Sequence, residues 1–479
     1  MKVLMLAAEA APLVMVGGLG DVVRGLSGEM RALGHDVRIA LPHYGFISDA
    51  GEPVSVLSVR WGRSNVKSSC VETEIHGIPC FLIGGRPIVL YENVYSPNDK
   101  IDAQRFVFFS LASLQHMRVL GFQPDVVHVH DAHPGAALHW LSQDARTETF
   151  WRDTARVLTI HNMAYQYNEA SEALALGGLR PSMDIPVPTW AGAGLLTLGI
   201  IAADRINAVS PTYAKEIVTE KHGAGLHTLL AARSKILSGI LNGIDYQIWD
   251  PAVDDVLVQN YTTETLKKRE SNKRALQMET GLPIGRAPLL GVVSRLDRQK
   301  GLDLLVQVMP SVMREIDIGL VVLGNGDAGI QAALQQLGSG FPERVAVKFH
   351  FDEGLARRIY AGADMMLVPS RYEPCGLVQI IALRYGAVPL VRATGGLCDT
   401  VKDCDLDAVN GTGFVFDAFT PEALRSVLIR ALTHFEDKSF WRGVQRRGMA
   451  LDFSWVTAGR RYQELYRQAI DDHRASEVD

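Results

Sequence analysis

The sequence predicts an α/β protein made of two doubly wound, parallel-sheet domains. Three observations carry that prediction. Short runs that are apolar on both faces recur along the chain, as buried parallel strands do. Longer segments of helical period separate them. The runs fall into two series on either side of the turn signal Asn242-Gly243. A chain of 479 residues also exceeds one ordinary core, so two units of roughly 200–250 residues each are expected.

The first series offers strands at Val3–Ala7, Val37–Leu41, Val126–Val129, Val157–Ile160, Ile206–Val209 and Ile236–Leu241. The second offers Leu289–Val293, Gly319–Leu323, Val345–Phe349, Met365–Val368, Val388–Val391 and Gly413–Phe416. Between them, Asp250–Gly285 is more polar and carries the run Lys267-Lys268-Arg269-Glu270, which fits a connector and a helix. Phe453–Ile470 reads as a helix rich in Tyr and Arg, with an aromatic side suited to docking on the first domain. The expected division is residues 1–242, residues 243–452 and a returning helix in 453–479. Ligands of open α/β sheets lie beyond the carboxyl ends of the strands. With two such units those ends can face one another and make a cleft, with a donor on one unit and an acceptor on the other.

Composition excludes several classes. Apolar residues make up 47% and charged residues 21%, a globular balance. A net charge of −5 gives no global basic field for nucleic acid or an anionic membrane. Five sparse cysteines lack zinc-ribbon spacing and fit a reducing compartment, so a cytoplasmic location is expected. The opening MKVLMLAAEAAPLV contains Glu9 and runs into a Gly-rich turn, which fits a buried first strand better than a signal peptide. The apolar run 191–203 is too short to span a bilayer.

Polar or Gly-rich turns fall at the ends of the expected strands. Gly17-Gly18-Leu19-Gly20-Asp21 lies between a strand and a helix, where backbone N–H groups can approach a phosphate. A tight turn that needs glycine only for positive φ gives the same spelling. Arg295 and Lys300, in Ser294–Gly301, are two cations suited to a leaving diphosphate, or to a solvated loop. Glu373, in Arg371–Leu377, sits where a carboxylate can grasp sugar hydroxyls or simply favour a helix N-terminus. Neighbouring Cys375 reads as a packed small residue. Thr394-Gly395-Gly396-Leu397 offers a second backbone phosphate site. His128, His130 and His133 hint at zinc, but no fourth ligand is placed nearby. Asp131 and the pair His161-Asn162 close strands and are better candidates for sugar contacts.

The chain resembles the bacterial glycogen synthase and plant starch synthase family of retaining glycosyltransferases. The resemblance runs from Lys2 to about Tyr466. It rests on GGLGDVV at 17–23, HVHDAH at 128–133, TIHN at 159–162, AVSPTYA at 208–214, LNGID at 241–245, SRLDRQKG at 294–301, VPSRYEPCGL at 368–377, TGGL at 394–397 and DFSW at 452–455. It implies a GT-B fold whose final helix crosses back to the first domain. It implies ADP-glucose as donor, an α-1,4-glucan such as glycogen or a maltooligosaccharide as acceptor, and no metal. By the same resemblance Arg295 and Lys300 contact the donor phosphates, and Glu373 orients the glucose. His161 and Asp131 line the glucose pocket. Gly17, Gly18, Gly395 and Gly396 approach the diphosphate, with Thr394, Cys375, Gly376 and Leu377 in the same donor-binding turns. Asp21, Asp131 and Asn162 fall on the acceptor side, and Phe351 where an aromatic residue stacks near the adenine. Many related enzymes carry a second Glu eight positions after the first; here Ile381 stands there.

One departure stands out. The family usually has Lys before the first glycine turn, and this chain reads Met15-Val16-Gly17. Methionine supplies no charge to a phosphate. Three readings follow: an active glucan synthase, a catalytically weak glucan-binding or primer-initiating paralogue, and a related transferase acting on sucrose or small glycosides. Labelled transfer to glycogen separates the first two. Product length separates the third.

Overall fold

The computed structural model describes residues 1–47, 51–143, 149–183, 186–350 and 352–476. The chain divides into two compact units, Met1–Gly243 with Trp455–Asp479, and Ile244–Ser454.

The first unit holds nine strands: β1 (Lys2–Leu6), β2 (Asp36–Pro42), β3 (Pro53–Trp61), β4 (Ser64–Ile75), β5 (Ile78–Gly85), β6 (Val126–His130), β7 (Ala155–Ile160), β8 (Arg205–Ala208) and β9 (Leu237–Gly239). They form one sheet in the order β3-β4-β5-β2-β1-β6-β7-β8-β9. From β5 to β9 every neighbour is parallel. The central strands are buried on both faces, which is why they read as continuous apolar runs.

The expectation of a wholly parallel sheet needs correction at one edge. β3 and β4 pair antiparallel, as do β4 and β5. These three strands were not anticipated. β4, Ser-Asn-Val-Lys-Ser-Ser-Cys-Val-Glu-Thr-Glu-Ile, mixes exposed polar with buried residues, so it lacks an apolar run. Its turn into β5 is His76-Gly77, both at positive φ (49° and 78°), the twist a two-residue hairpin favours.

The last helix, Trp455–Ser476, runs further than the expected Phe453–Ile470 and belongs to the first unit. It packs on the helix Gly18–Ala32 and against β6, β7 and β8. Trp455, Tyr462, Leu465 and Tyr466 join Val3, Met5 and Val157 in one core. Gly25 makes the close approach possible, because a Cβ there would lie 1.9 Å from Trp455 Nε1. Polar tips of the helix are satisfied inside the sheet. Tyr466 Oη lies 2.8 Å from His128 Nδ1, and Tyr462 Oη accepts from Asn207 Nδ2 at 3.0 Å.

The second unit holds β10 (Leu289–Val293), β11 (Gly319–Leu323), β12 (Val345–Lys348), β13 (Met365–Val368), β14 (Val388–Arg392) and β15 (Phe414–Phe416). Their order is β12-β11-β10-β13-β14-β15, parallel throughout. Apolar cores lie on both faces. The helix expected within Asp250–Gly285 is Arg269–Thr280. Among the described residues, no helix is long and apolar enough to cross a membrane.

The parallel strands of each sheet reverse their order once, between β1 and β6 in the first and between β10 and β13 in the second. At such a switch the two following loops part and leave a crevice beyond the strand ends. Four of the motif-bearing loops follow these strands, while His161-Asn162 follow β7 and residues 394–397 follow β14.

Candidate active site

In the first unit the loop after β1 is organised by Glu9, whose side chain is buried. Its Oε2 accepts from the N–H of Val16 at 2.7 Å and of Gly17 at 3.0 Å, while Tyr95 Oη donates to Oε1. The Gly17 amide, expected to approach a phosphate, is therefore bonded to a carboxylate within the loop. Gly18 opens the following helix, and no side chain caps it. Met15 sits on this loop 44% exposed, outside the core. Asp21, in the first helical turn, lies 3.5 Å from Arg24. Sequence reasoning missed Glu9 as a site-building residue. The available signal was a lone acid in an otherwise apolar run.

The loop after β6 begins with Asp131, buried and at φ 61°, a conformation costly for a non-glycine residue. Its Oδ1 accepts from the N–H of His161 at 2.6 Å and of Asn162 at 3.1 Å. One carboxylate thus ties the end of β6 to the end of β7. Burial pushes the Asp131 carboxyl up to about 7, against the pull of those two amides and with Glu9 adding to the rise. Asn162 Oδ1 accepts from the Ala164 N–H at 3.0 Å. Asp131, His161 and Asn162 are thus brought together, as their shared place at strand ends suggested.

The three histidines of the motif make separate bonds. His128 contacts Tyr466 and, through Nε2, Thr159 Oγ1 at 2.7 Å. His130 Nδ1 lies 3.1 Å from His161 Nε2. His133 sits among the rings of Tyr95, Phe106 and Tyr167, with centroids 5.2, 4.8 and 5.2 Å away. Burial lowers all three and His161 with them, to about 3 for His128, His133 and His161 and well below the usual value for His130, so each is neutral at physiological pH.

In the second unit the loops after β10 and β13 meet. Lys300 Nζ lies 3.0 Å from Glu373 Oε1 and 2.7 Å from Oε2, and Ser370 Oγ donates to Oε2 at 2.9 Å. Glu373 is buried, so its charge is held by a cation and a hydroxyl. Its backbone is fixed by the turn after β14. The Gly396 N–H donates to Glu373 O at 3.0 Å. Gly395, at φ 47°, has room for no side chain, since a Cβ would lie 2.0 Å from the same oxygen. Arg392 Nη1 donates to Ser370 O at 3.1 Å, bracing the same loop.

Arg295, half exposed, pairs with Asp297 at 3.3 Å, and Asp297 Oδ1 accepts from the Lys300 N–H at 3.2 Å. Thr394 and Cys375 are buried, and Cys375 O accepts from Gln379 Nε2 at 3.0 Å. Gly376 takes φ 74°, and Leu377 precedes the helix Val378–Arg384. Ile381 is buried in an apolar core. Phe351 lies outside the described residues. Ser370 and Arg392, which hold Glu373 and its loop, were not anticipated.

Two nucleotide-fold units, each with polar loops gathered at a switch in strand order, match the glycosyltransferases of the GT-B class. Residues 2–232 match the starch synthase catalytic domain, and residues 276–439 match the glycosyl transferases group 1 family. The chain is 39% identical over 484 residues to glycogen synthase 2 of Geobacter metallireducens, spanning 99% of this chain and 100% of that one. It is 40% identical over 482 residues to the glycogen synthase of Moorella thermoacetica, spanning 99% and 98%. The catalytic domain of starch synthase IV from Arabidopsis thaliana, solved with ADP and acarbose, matches with a TM-score of 0.89 at 31% identity, over 98% of this chain and 99% of that one. The chain belongs to the glycogen synthase and starch synthase family of glycosyltransferases.

Proposed function

We propose that this protein transfers glucose from ADP-glucose to the non-reducing end of an α-1,4-glucan, with retention of the anomeric configuration. The observation that carries the reading is the buried Glu373 carboxylate, held by Lys300 and Ser370 and anchored by the Gly395-Gly396 turn. A fixed anion in a poorly hydrated site stabilises positive character on an anomeric carbon. Lys300 beside it, with Arg295 on the same loop, balances the departing diphosphate, so no divalent ion is needed. Phe351 is assigned to the adenine, and the Gly17-Gly18 loop to the diphosphate. Asp131, His161 and Asn162 contact sugar hydroxyls, with Asp21 toward the acceptor. No enzymic nucleophile is assigned. Retention follows from attack on the face the diphosphate leaves, with that diphosphate taking the acceptor proton. The cytoplasm is the proposed location.

The test is a panel of nucleotide-glucose donors with maltooligosaccharide acceptors, products being read by chain length. A ladder of lengthening maltodextrins with ADP-glucose, unaffected by a chelator, supports the reading. One fixed product points to small glycosides. Glucan binding without transfer from any donor points to a non-catalytic paralogue, the reading that Met15 alone favours.

A further inference from the structure

The buried His130 is fully enclosed, yet it reaches the half-buried His161. Its Nδ1 lies 3.1 Å from His161 Nε2, and its Nε2 is buried with no hydrogen-bond partner among the described residues. Both rings are neutral, so each carries one N–H. Exactly one proton lies between the two nitrogens, and its owner sets the tautomer of both rings.

Two arrangements satisfy the 3.1 Å contact. If His161 donates, His130 must carry its own proton on Nε2, leaving a buried N–H without an acceptor. If His130 donates, its bare Nε2 faces the interior, and His161 carries its proton on Nδ1. On the backbone, buried N–H groups without an acceptor are rarer than carbonyls without a donor, and the same preference for an unmet acceptor over an unmet donor favours the second arrangement. The neighbouring His133 already shows the second pattern. Its ring bonds the backbone of His130, where only a carbonyl can accept, and its Nδ1 is buried without a partner among the described residues. We infer that His130 is a positioning residue that fixes His161 as the Nδ1–H tautomer, so that His161 presents a hydrogen-bond donor to a sugar hydroxyl. The backbone of His161 is pinned independently by Asp131, so ring and main chain are set by two successive parts of the β6 end.

The use of that donor rests on the proposed glucose contact at His161; the tautomer itself does not. The experiment therefore has two readouts on the full chain. The first is the long-range proton–nitrogen spectrum of ¹⁵N-histidine-labelled protein at pH 7.5, with His161 assigned by the signals that vanish in His161→Asn. His161 is expected as Nδ1–H in the wild type and in His130→Asn, whose side-chain amide can still donate. It is expected to shift toward Nε2–H in His130→Leu. An Nε2–H His161 in the wild-type spectrum overturns the inference, and that spectrum needs no variant of His130 to fold. The second readout is turnover. His130→Leu is expected to lower kcat about tenfold with little change in glucan KM, and His130→Asn to recover most of it. If the tautomer shifts as expected while kcat stays at the wild-type level, the positioning role stands and the sugar contact at His161 falls.

Discussion

At the carboxyl ends of their strands the two units bury polar chemistry in opposite ways, although the first also holds ion pairs elsewhere, Arg105 on Asp102 and Arg156 on Asp204. The first uses neutral imidazoles and backbone amides: His128, His130 and His133 are enclosed, and Asp131 is met by two N–H groups. The second uses charge against charge there: Lys300 on Glu373. A neutral buried base is lost when protons become abundant. An ion pair with a carboxylate persists until that carboxylate titrates. The same class of fold therefore gives two units with different acid limits.

The largest expected effect tests this contrast directly. His116, His128, His130 and His133 all have their basicity depressed by burial, to about 4 for His116 and about 3 for His128 and His133. Unfolded, they take up a proton near pH 6.5, so stability is full above that value and falls as pH drops below it. Each contributes a loss of about 2 kcal/mol by pH 5. Asp131 opposes them, because its raised carboxyl holds a proton more tightly when folded and so favours the native state as pH falls through about 7. At the β6 and β7 ends His161 joins His128, His130 and His133, and these outweigh Asp131; elsewhere in the unit Asp102 and His473, both raised, act on its side. Hydrogen exchange should show β6 and β7 losing protection at pH 5 while β10 and β13 keep theirs. Equal protection in both sheets at pH 5 removes the contrast.

Next in size is Glu373→Ala. It should lower kcat about a hundredfold or more, with glucan affinity nearly unchanged, if the carboxylate acts mainly in the transition state. Lys300→Ala should weaken ADP binding and turnover by about tenfold to a hundredfold. It should cost more than Arg295→Ala, because it also leaves Glu373 as an unpaired buried anion, whereas Arg295 is half exposed. Calorimetric titration with ADP and steady-state rates check the order. An Arg295 variant worse than the Lys300 variant would show that the ion pair is not the centre of the second unit's site.

The parts of this arrangement that were legible in the sequence are the locally encoded ones. A strand buried on both faces must be spelled in apolar residues, so the six parallel strands of the second unit could be read directly. The loops beyond them carry Lys300, Glu373 and Gly395 within short motifs whose spacing survives in the linear text. β3 and β4 were hidden because their half-exposed edge alternates polar with apolar residues, whereas β5, Ile78–Gly85, is a buried apolar run that sequence reading passed over. Glu9 and Arg392 were hidden for another reason: their roles depend on what the fold brings to them. Tyr95 reaches Glu9 across 86 positions, and Tyr466 reaches His128 across 338. No local pattern reports contacts of that separation. The Lys300–Glu373 pair, 73 apart, was placed in one site only through the common position of both motifs at strand ends.

Met15 sharpens the comparison further, because it concerns whether the first unit offers the donor any cation. The loop that bears it has Val16 and Gly17 turned inward to Glu9, so its organised groups already serve a carboxylate. Met15 itself is 44% exposed, and a lysine there extends into water without displacing core. Met15→Lys should therefore leave thermal stability within about 0.5 kcal/mol of the parent, which makes any change in rate a matter of charge. A new ammonium at a phosphate is worth about a tenfold gain in kcat/KM for ADP-glucose, with acceptor affinity unchanged. That gain would give the first unit an electrostatic share in donor use that its native sequence lacks. An unchanged kcat/KM would assign the neutralisation of the diphosphate to the second unit's Arg295 and Lys300 and leave the first unit with positioning alone.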